Sequence, residues 1–199
     1  MKSIHELLVD HRVGVISAHP DDHLVQGNGI QAAHAAGAIV RELTIAKGRA
    51  STLNYLPDPH FVANGYREYE GRSAAHYMGI TSNDHLDGTD GNLAAEQAEH
   101  VPVVAEWIAY HGIDLLMTLG GVADHPDHIA SAAIAKQAAM QLWNDDYPVG
   151  ILEVQQRGSA PWKARASSKN QATIFGAAAL HPSQMLISPE EQPGWDQVP

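Results

Sequence analysis

The chain has 199 residues and a mass of 21.4 kDa, enough for one domain and short for two. Lys and Arg number 12 against 23 Asp and Glu, a net charge of −11, which sets the surface against phosphate backbones and anionic lipid and argues against nucleic-acid partners. There is no cysteine, which excludes disulfides, thiolate zinc sites, iron–sulfur clusters and a cysteine nucleophile.

Taken in chain order, apolar runs alternate with segments of helical period. Residues 12–18 read as a buried strand ending at His19-Pro20, 23–36 as a helix, and 38–46 as a second strand. Residues 66–78 have helical spacing and stop at Gly79, a C-cap residue. A short strand at 83–87 precedes the polar turn DGTDGN. A long helix at 93–111 closes at Gly112, a strong strand follows at 113–119, and an Ala-rich helix occupies 126–142. The last clear strand is 149–155, a further helix spans 168–179, and the Pro-rich residues 186–199 read as an irregular tail.

This alternation predicts an α/β fold: a Rossmann-like, mostly parallel sheet flanked by helices, with residues 1–199 as a single domain. The N-terminus carries scattered charges and no uninterrupted apolar core of a signal sequence. No apolar run approaches the roughly 20 residues of a membrane span. The expected location is therefore the cytoplasm, without membrane insertion.

Thirteen histidines are the anomaly, and they point to chemistry. Two clusters fall where a strand hands over to a helix: AHPDDH at 18–23 and ADHPDH at 123–128. In open α/β sheets such loops open into one crevice at the carboxyl ends of the strands. Together they offer His19, Asp21, Asp22, His23, Asp124, His125, Asp127 and His128. Imidazole and carboxylate without thiol is the donor set of a catalytic Zn²⁺, with Fe²⁺ or another divalent ion as the alternative. Three protein ligands leave a position for water, whose pKa falls to about 7 on the metal. A remaining carboxylate can then serve as base and a remaining histidine as acid. Each cluster alone also reads as a turn with an Asp helix cap, Asp124 capping a helix that has Pro126 in its first turn. The pair in one short chain favours the metal reading.

Gly27-Asn28-Gly29-Ile30-Gln31-Ala32 fits the dinucleotide fingerprint G-x-G-x-x-A, but that motif needs its glycines in the turn directly after the first strand. Here HPDDHLVQ intervenes, so these glycines belong inside the helix and serve close helix–sheet packing. The remaining histidines follow no ligand spacing.

AHPDD with HPDH about 105 residues later resembles the PIG-L/LmbE-like N-deacetylases, which remove acetyl groups from N-acetylglucosamine conjugates and related amides. Arg67, Glu70 and the run Ser73-Ala74-Ala75 to Met78-Gly79-Ile80 are similar to that family's R-x-x-E…A…LG helix. Lys169, Ala172, His181, Ser183 and Gln184 are similar to its C-terminal element. The resemblance implies that His19, Asp22 and His128 bind the metal, usually Zn²⁺, and that Asp21 is the general base toward the metal-bound water. It implies that His125 stabilises the oxyanion and assists departure of the amine, with Asp127 orienting it. Arg67 and Asp90 stand where the family has sugar-contacting residues.

The chain departs from the pattern at three positions. His23 follows HPDD where Glu is usual, Asp124 stands where Gly is frequent, and Ala123 occupies the position of a tyrosine found in some relatives. Asp124 beside His125 would favour the imidazolium form. The implied substrate is a small N-acetyl sugar or conjugate. Two other functions use the same residues: a non-haem iron oxygenase with a two-His-one-carboxylate site, and a metal-binding module without catalysis. The aromatic tail near Trp195 offers a homo-oligomer contact.

Overall fold

Five segments form the strands β1 (Arg12–Ser17), β2 (Ile39–Ala46), β3 (Ser82–Gly88), β4 (Leu115–Leu119) and β5 (Gly150–Val154), of which β3 is largely polar. The computed structural model describes residues 4–49, 66–119, 125–154, 173, 174, 177 and 180. All neighbouring strands are parallel, in the order β3-β2-β1-β4-β5. The central strand β1 pairs Val13 with Val40 on one side and with Leu115 on the other. It is buried from Val13 to Ser17, as a parallel strand covered on both faces must be.

The helices are α1 (Ile4–Leu8), α2 (Asp22–Val25), α3 (Gly27–Ala35), α4 (Tyr66–Tyr77), α5 (Gln97–His111) and α6 (Pro126–Asn144). On one face, α5 and α6 pack Val104, Ile108, Ile134 and Ala138 against Ile16, Leu43, Ile45 and Leu116. On the other, α1, α3 and α4 pack Leu8, Ile30, Ala74 and Met78 against Val13, Val15, Val40 and Met117. Alternate side chains of β1 thus feed two separate cores, which fixes the register of the sheet's centre. The predicted Rossmann-like layout is the observed one.

The differences lie at element ends. The helix expected over 23–36 is two helices broken at Gln26, whose buried side chain donates to the Ile16 carbonyl (3.3 Å) and to Ser17 Oγ (3.2 Å). The helix expected from 93 begins at Gln97, because residues 89–95 form turns. The short α1 was not anticipated. Gly112 ends α5 in the left-handed conformation at φ 63°, as its C-cap reading requires. Gly29 lies inside α3, and a Cβ there would stand 2.7 Å from Met117 Sδ. That close approach of helix to sheet is what the register argument gave in place of a nucleotide site. The segment 168–179 has helical backbone at residues 173, 174 and 177, and its other residues, like the tail 186–199, lie outside the described set.

Candidate metal centre and active site

The strand order reverses direction between β1 and β4, which makes their carboxyl ends the topological switch point of the sheet. His19-Pro20-Asp21-Asp22 leaves β1 there, and His125-Pro126-Asp127-His128 opens α6 after β4. Residues 47–49 after β2 and 89–93 after β3 emerge at the same end.

The first loop is organised by Asp22. Its Oδ2 accepts the backbone N–H groups of Ala18 (2.7 Å) and His19 (2.9 Å), folding the loop back onto the end of β1. Its Oδ1 stands 3.0 Å from His128 Nε2. Burial alone would raise this carboxyl, but the His128 contact, the His128 and His19 charges and the backbone donor hold it well below the usual carboxylate range. Asp22 is thus an oriented anion in a buried position.

The second loop caps α6 unexpectedly. Pro126 takes the first helical position, where its missing N–H costs nothing. The N-cap is His125, whose Nδ1 accepts the Asp127 N–H at 3.2 Å. Asp124, read from sequence as the cap and as a charge beside His125, lies outside the described residues, as does Ala123. The buried Asp127 carboxylate accepts the N–H groups of Gly91 (2.6 Å) and Leu93 (3.3 Å) and lies 3.1 Å from His19 Nε2.

Three imidazoles converge between these loops. Ring centroids of His19 and His125 are 5.1 Å apart, those of His125 and His128 5.1 Å, and those of His19 and His128 5.6 Å. A nitrogen of each lies within 4.8 Å of the others. Two atoms bound at about 2.0–2.1 Å to one tetrahedral ion stand about 3.3 Å apart, close to the 3.0 Å between Asp22 Oδ1 and His128 Nε2. The residues present therefore fit a divalent metal, with His19, Asp22 and His128 as the expected donors and His125 beside them. His128 is raised: burial opposes its charge, but the Asp22 contact and nearby carboxylates win. His125 is lowered by burial and by the charges of His19 and His128.

Asp21 faces a different partner. Its Oδ1 accepts from Arg67 Nη2 (3.0 Å), while Arg67 Nη1 donates to the Gly48 carbonyl (2.7 Å). Gly48 N–H in turn donates to Asp90 Oδ1 (2.9 Å). Arg67 is 6% exposed, so the guanidinium that sequence similarity gave to the sugar is engaged with Asp21 and the Gly48 carbonyl. Beyond Gly48, a cavity of about 310 Å³ is lined by Lys47, Arg49, Asp87, Thr89 and Asp90. Lys47 pairs with Asp87 and Arg49 with Glu68, so its walls carry both donors and acceptors.

His23 lies under the first loop, fully buried and 3.3 Å from the equally buried Glu42. Glu42 also accepts from Ser17 Oγ (2.6 Å) and Asn83 Nδ2 (2.7 Å). Burial opposes the His23 charge, yet Glu42 raises its pKa. The pair ties α2 to β1, β2 and β3. Neither Glu42 nor the backbone donors of Gly91 and Leu93 stood out in the sequence, since no motif marks them.

The parallel sheet gathers carboxylates and imidazoles at its switch point, where α/β enzymes bind their ligands. The sequence matches the PIG-L family, described as GlcNAc-PI de-N-acetylase, over residues 14–139, well over half the chain. The chain belongs to this family and is an enzyme of the N-deacetylase type. No curated protein matches it in sequence. Among solved structures, N,N'-diacetylchitobiose deacetylase from Pyrococcus horikoshii is similar at 18% identity and TM-score 0.70, covering 87% of this chain and 70% of that one. The A40926 pseudoaglycone deacetylase Dbv21 is similar at 20% identity and TM-score 0.71, covering 91% and 86%. GalB, the 4-carboxy-2-hydroxymuconate hydratase from Pseudomonas putida KT2440, shares the fold at 14% identity and TM-score 0.68, covering 87% and 80%. At these identities the likeness establishes the fold, and one fold serves more than one reaction.

Proposed function

We propose that the protein is a metal-dependent hydrolase that removes an acetyl group from the amide nitrogen of an N-acetylglucosamine-type sugar or related conjugate. The observation that carries this reading is the convergence of HPDD and HPDH at the switch point, with three imidazoles within ligand distance and Asp22 against His128.

In this reading His19, Asp22 and His128 hold the metal. A bound Zn²⁺ supplies Lewis-acid polarisation of the amide carbonyl and lowers the pKa of a water to about 7. Asp21, its carboxylate steadied by Arg67, takes the proton of the attacking water. His125 has its Nδ1 committed to the Asp127 N–H, so Nε2 is the nitrogen that carries a proton in its neutral form. It donates a hydrogen bond to the oxyanion side of the tetrahedral centre and assists the departing nitrogen, which takes up the proton Asp21 removed from the water as the C–N bond breaks to give acetic acid and a free amine. Asp127 orients His125 through that N–H and His19 through its carboxylate. The cavity beside Asp90, walled by donors and acceptors, suits the hydroxyls of the sugar that carries the amine.

Replacing Asp21 by Ala tests the assignment on amine release from N-acetylglucosamine and N,N'-diacetylchitobiose. The variant is expected to lose at least 100-fold in turnover while keeping its metal. Turnover within threefold of the unaltered protein would contradict the role given to Asp21.

A further inference from the structure

The two halves of the site, Asp21 with Arg67 and Asp127 with the histidines, both hang on one segment. The turn at 89–93 gives the N–H groups of Gly91 and Leu93 to Asp127. The same turn gives the Asp90 carboxylate to the Gly48 N–H, and Gly48 passes the restraint through its carbonyl to Arg67 and so to Asp21. One end of the turn is anchored by the fully buried Leu93 side chain. The other end is held by Glu96, which reaches back from the start of α5. Its Oε2 accepts the Thr89 N–H (2.9 Å) and lies 3.3 Å from His100 Nε2, and its Oε1 accepts from Asn92 Nδ2 (3.0 Å).

We propose that Glu96 is a positioning residue for the active site: by locking the 89–93 turn it holds Asp127, and through it His19, in the geometry of the metal centre. Glu96 itself touches neither histidine nor carboxylate of that centre. Its effect must pass through the turn's backbone donors, because Asp127 is 1% exposed and has no access to water as a substitute partner. Gly91 makes the arrangement achievable, since the turn needs φ +80° at that residue to aim its N–H.

The inference rests on His19 being a metal ligand, and it is tested by two measurements on the full chain. Amide hydrogen exchange requires neither metal nor substrate: Glu96→Ala should speed exchange at Gly91 and Leu93 at least tenfold and leave β1 and β4 unchanged. Zinc affinity, read by competition with a chromophoric chelator, should weaken about tenfold in Glu96→Ala. In an Asp127→Ala background the same substitution should cost less than twofold, because the path has already been cut. Glu96→Gln, which keeps an acceptor for the Thr89 N–H, should recover part of both effects.

If Glu96→Ala fails to fold, Gly91→Ala carries the test: a Cβ there meets nothing within 4 Å, so it strains only the turn, and the same pattern is expected. Unchanged exchange at Gly91 and Leu93, or an equal affinity loss in both backgrounds, overturns the proposal. Absence of zinc binding by the unaltered protein would count against the metal reading alone, and the exchange measurement would still judge the turn.

Discussion

His19 Nε2 lies 3.1 Å from Asp127 Oδ2, joining two residues 108 positions apart across the switch point of the sheet. A carboxylate beside a ligating imidazole fixes the ring's tautomer and orientation, and its loss typically costs 10–100-fold in metal affinity. Asp127 is itself fixed by the Gly91 and Leu93 N–H groups, so the ring is restrained at two removes.

Asp127→Ala is therefore expected to weaken zinc binding by about 10–100-fold in chelator competition. A change below twofold would mean that His19 is oriented by something else.

Arg67→Lys discriminates between two roles for one side chain. A lysine cannot reproduce the paired contacts to Asp21 and the Gly48 carbonyl. If Arg67 serves Asp21, kcat should fall about tenfold with KM within twofold. A rise in KM at constant kcat would return Arg67 to the sugar, as a loss of uniform binding.

The His23–Glu42 pair is fully buried on both sides, and breaking such a pair by removing one partner costs about 3–5 kcal/mol. Glu42→Leu also strips Ser17 Oγ and Asn83 Nδ2 of their acceptor. Urea denaturation should show a loss in that range. A loss under about 1 kcal/mol would indicate that the pair is not a charged contact holding the first loop.

Much of this arrangement was legible before the fold was known. Alternating strand and helix periods gave the parallel sheet, and the two histidine–aspartate clusters at strand ends located the crevice. Contacts decided over long distance were not legible. The break at Gln26 arises because its amide finds Ser17 Oγ and the Ile16 carbonyl, and nothing in the helical pattern of 23–36 records that. The late start of α5 has a similar origin, as Glu96 turns back to Thr89. The choice of Asp21 by Arg67 is tertiary too. Backbone N–H groups such as those of Gly91 and Leu93 are present at every non-proline residue, so their use as donors leaves no mark on composition.

Glu96 also predicts a pH dependence. The Thr89 N–H, with Asn92 and His100, holds its carboxyl down to about 2 from 4.5. A depressed carboxyl stabilises the folded state fully above the unfolded value, and that contribution is lost as pH falls through the folded one. Stability of the unaltered protein should therefore drop more steeply between pH 5 and pH 2, roughly the interval between those two values, than that of Glu96→Gln. NMR titration placing the Glu96 carboxyl at or above 4.5 would remove the basis for this difference.

The central claim, that this centre is a metal-dependent deacetylase site, is tested most directly by elemental analysis joined to amine release from N-acetylglucosamine and N,N'-diacetylchitobiose before and after chelation. The account predicts close to one equivalent of a divalent metal, activity lost to chelator, and activity restored on adding back zinc or iron. Protein prepared without chelator that contains no metal, or amine release that survives its complete removal, would contradict it.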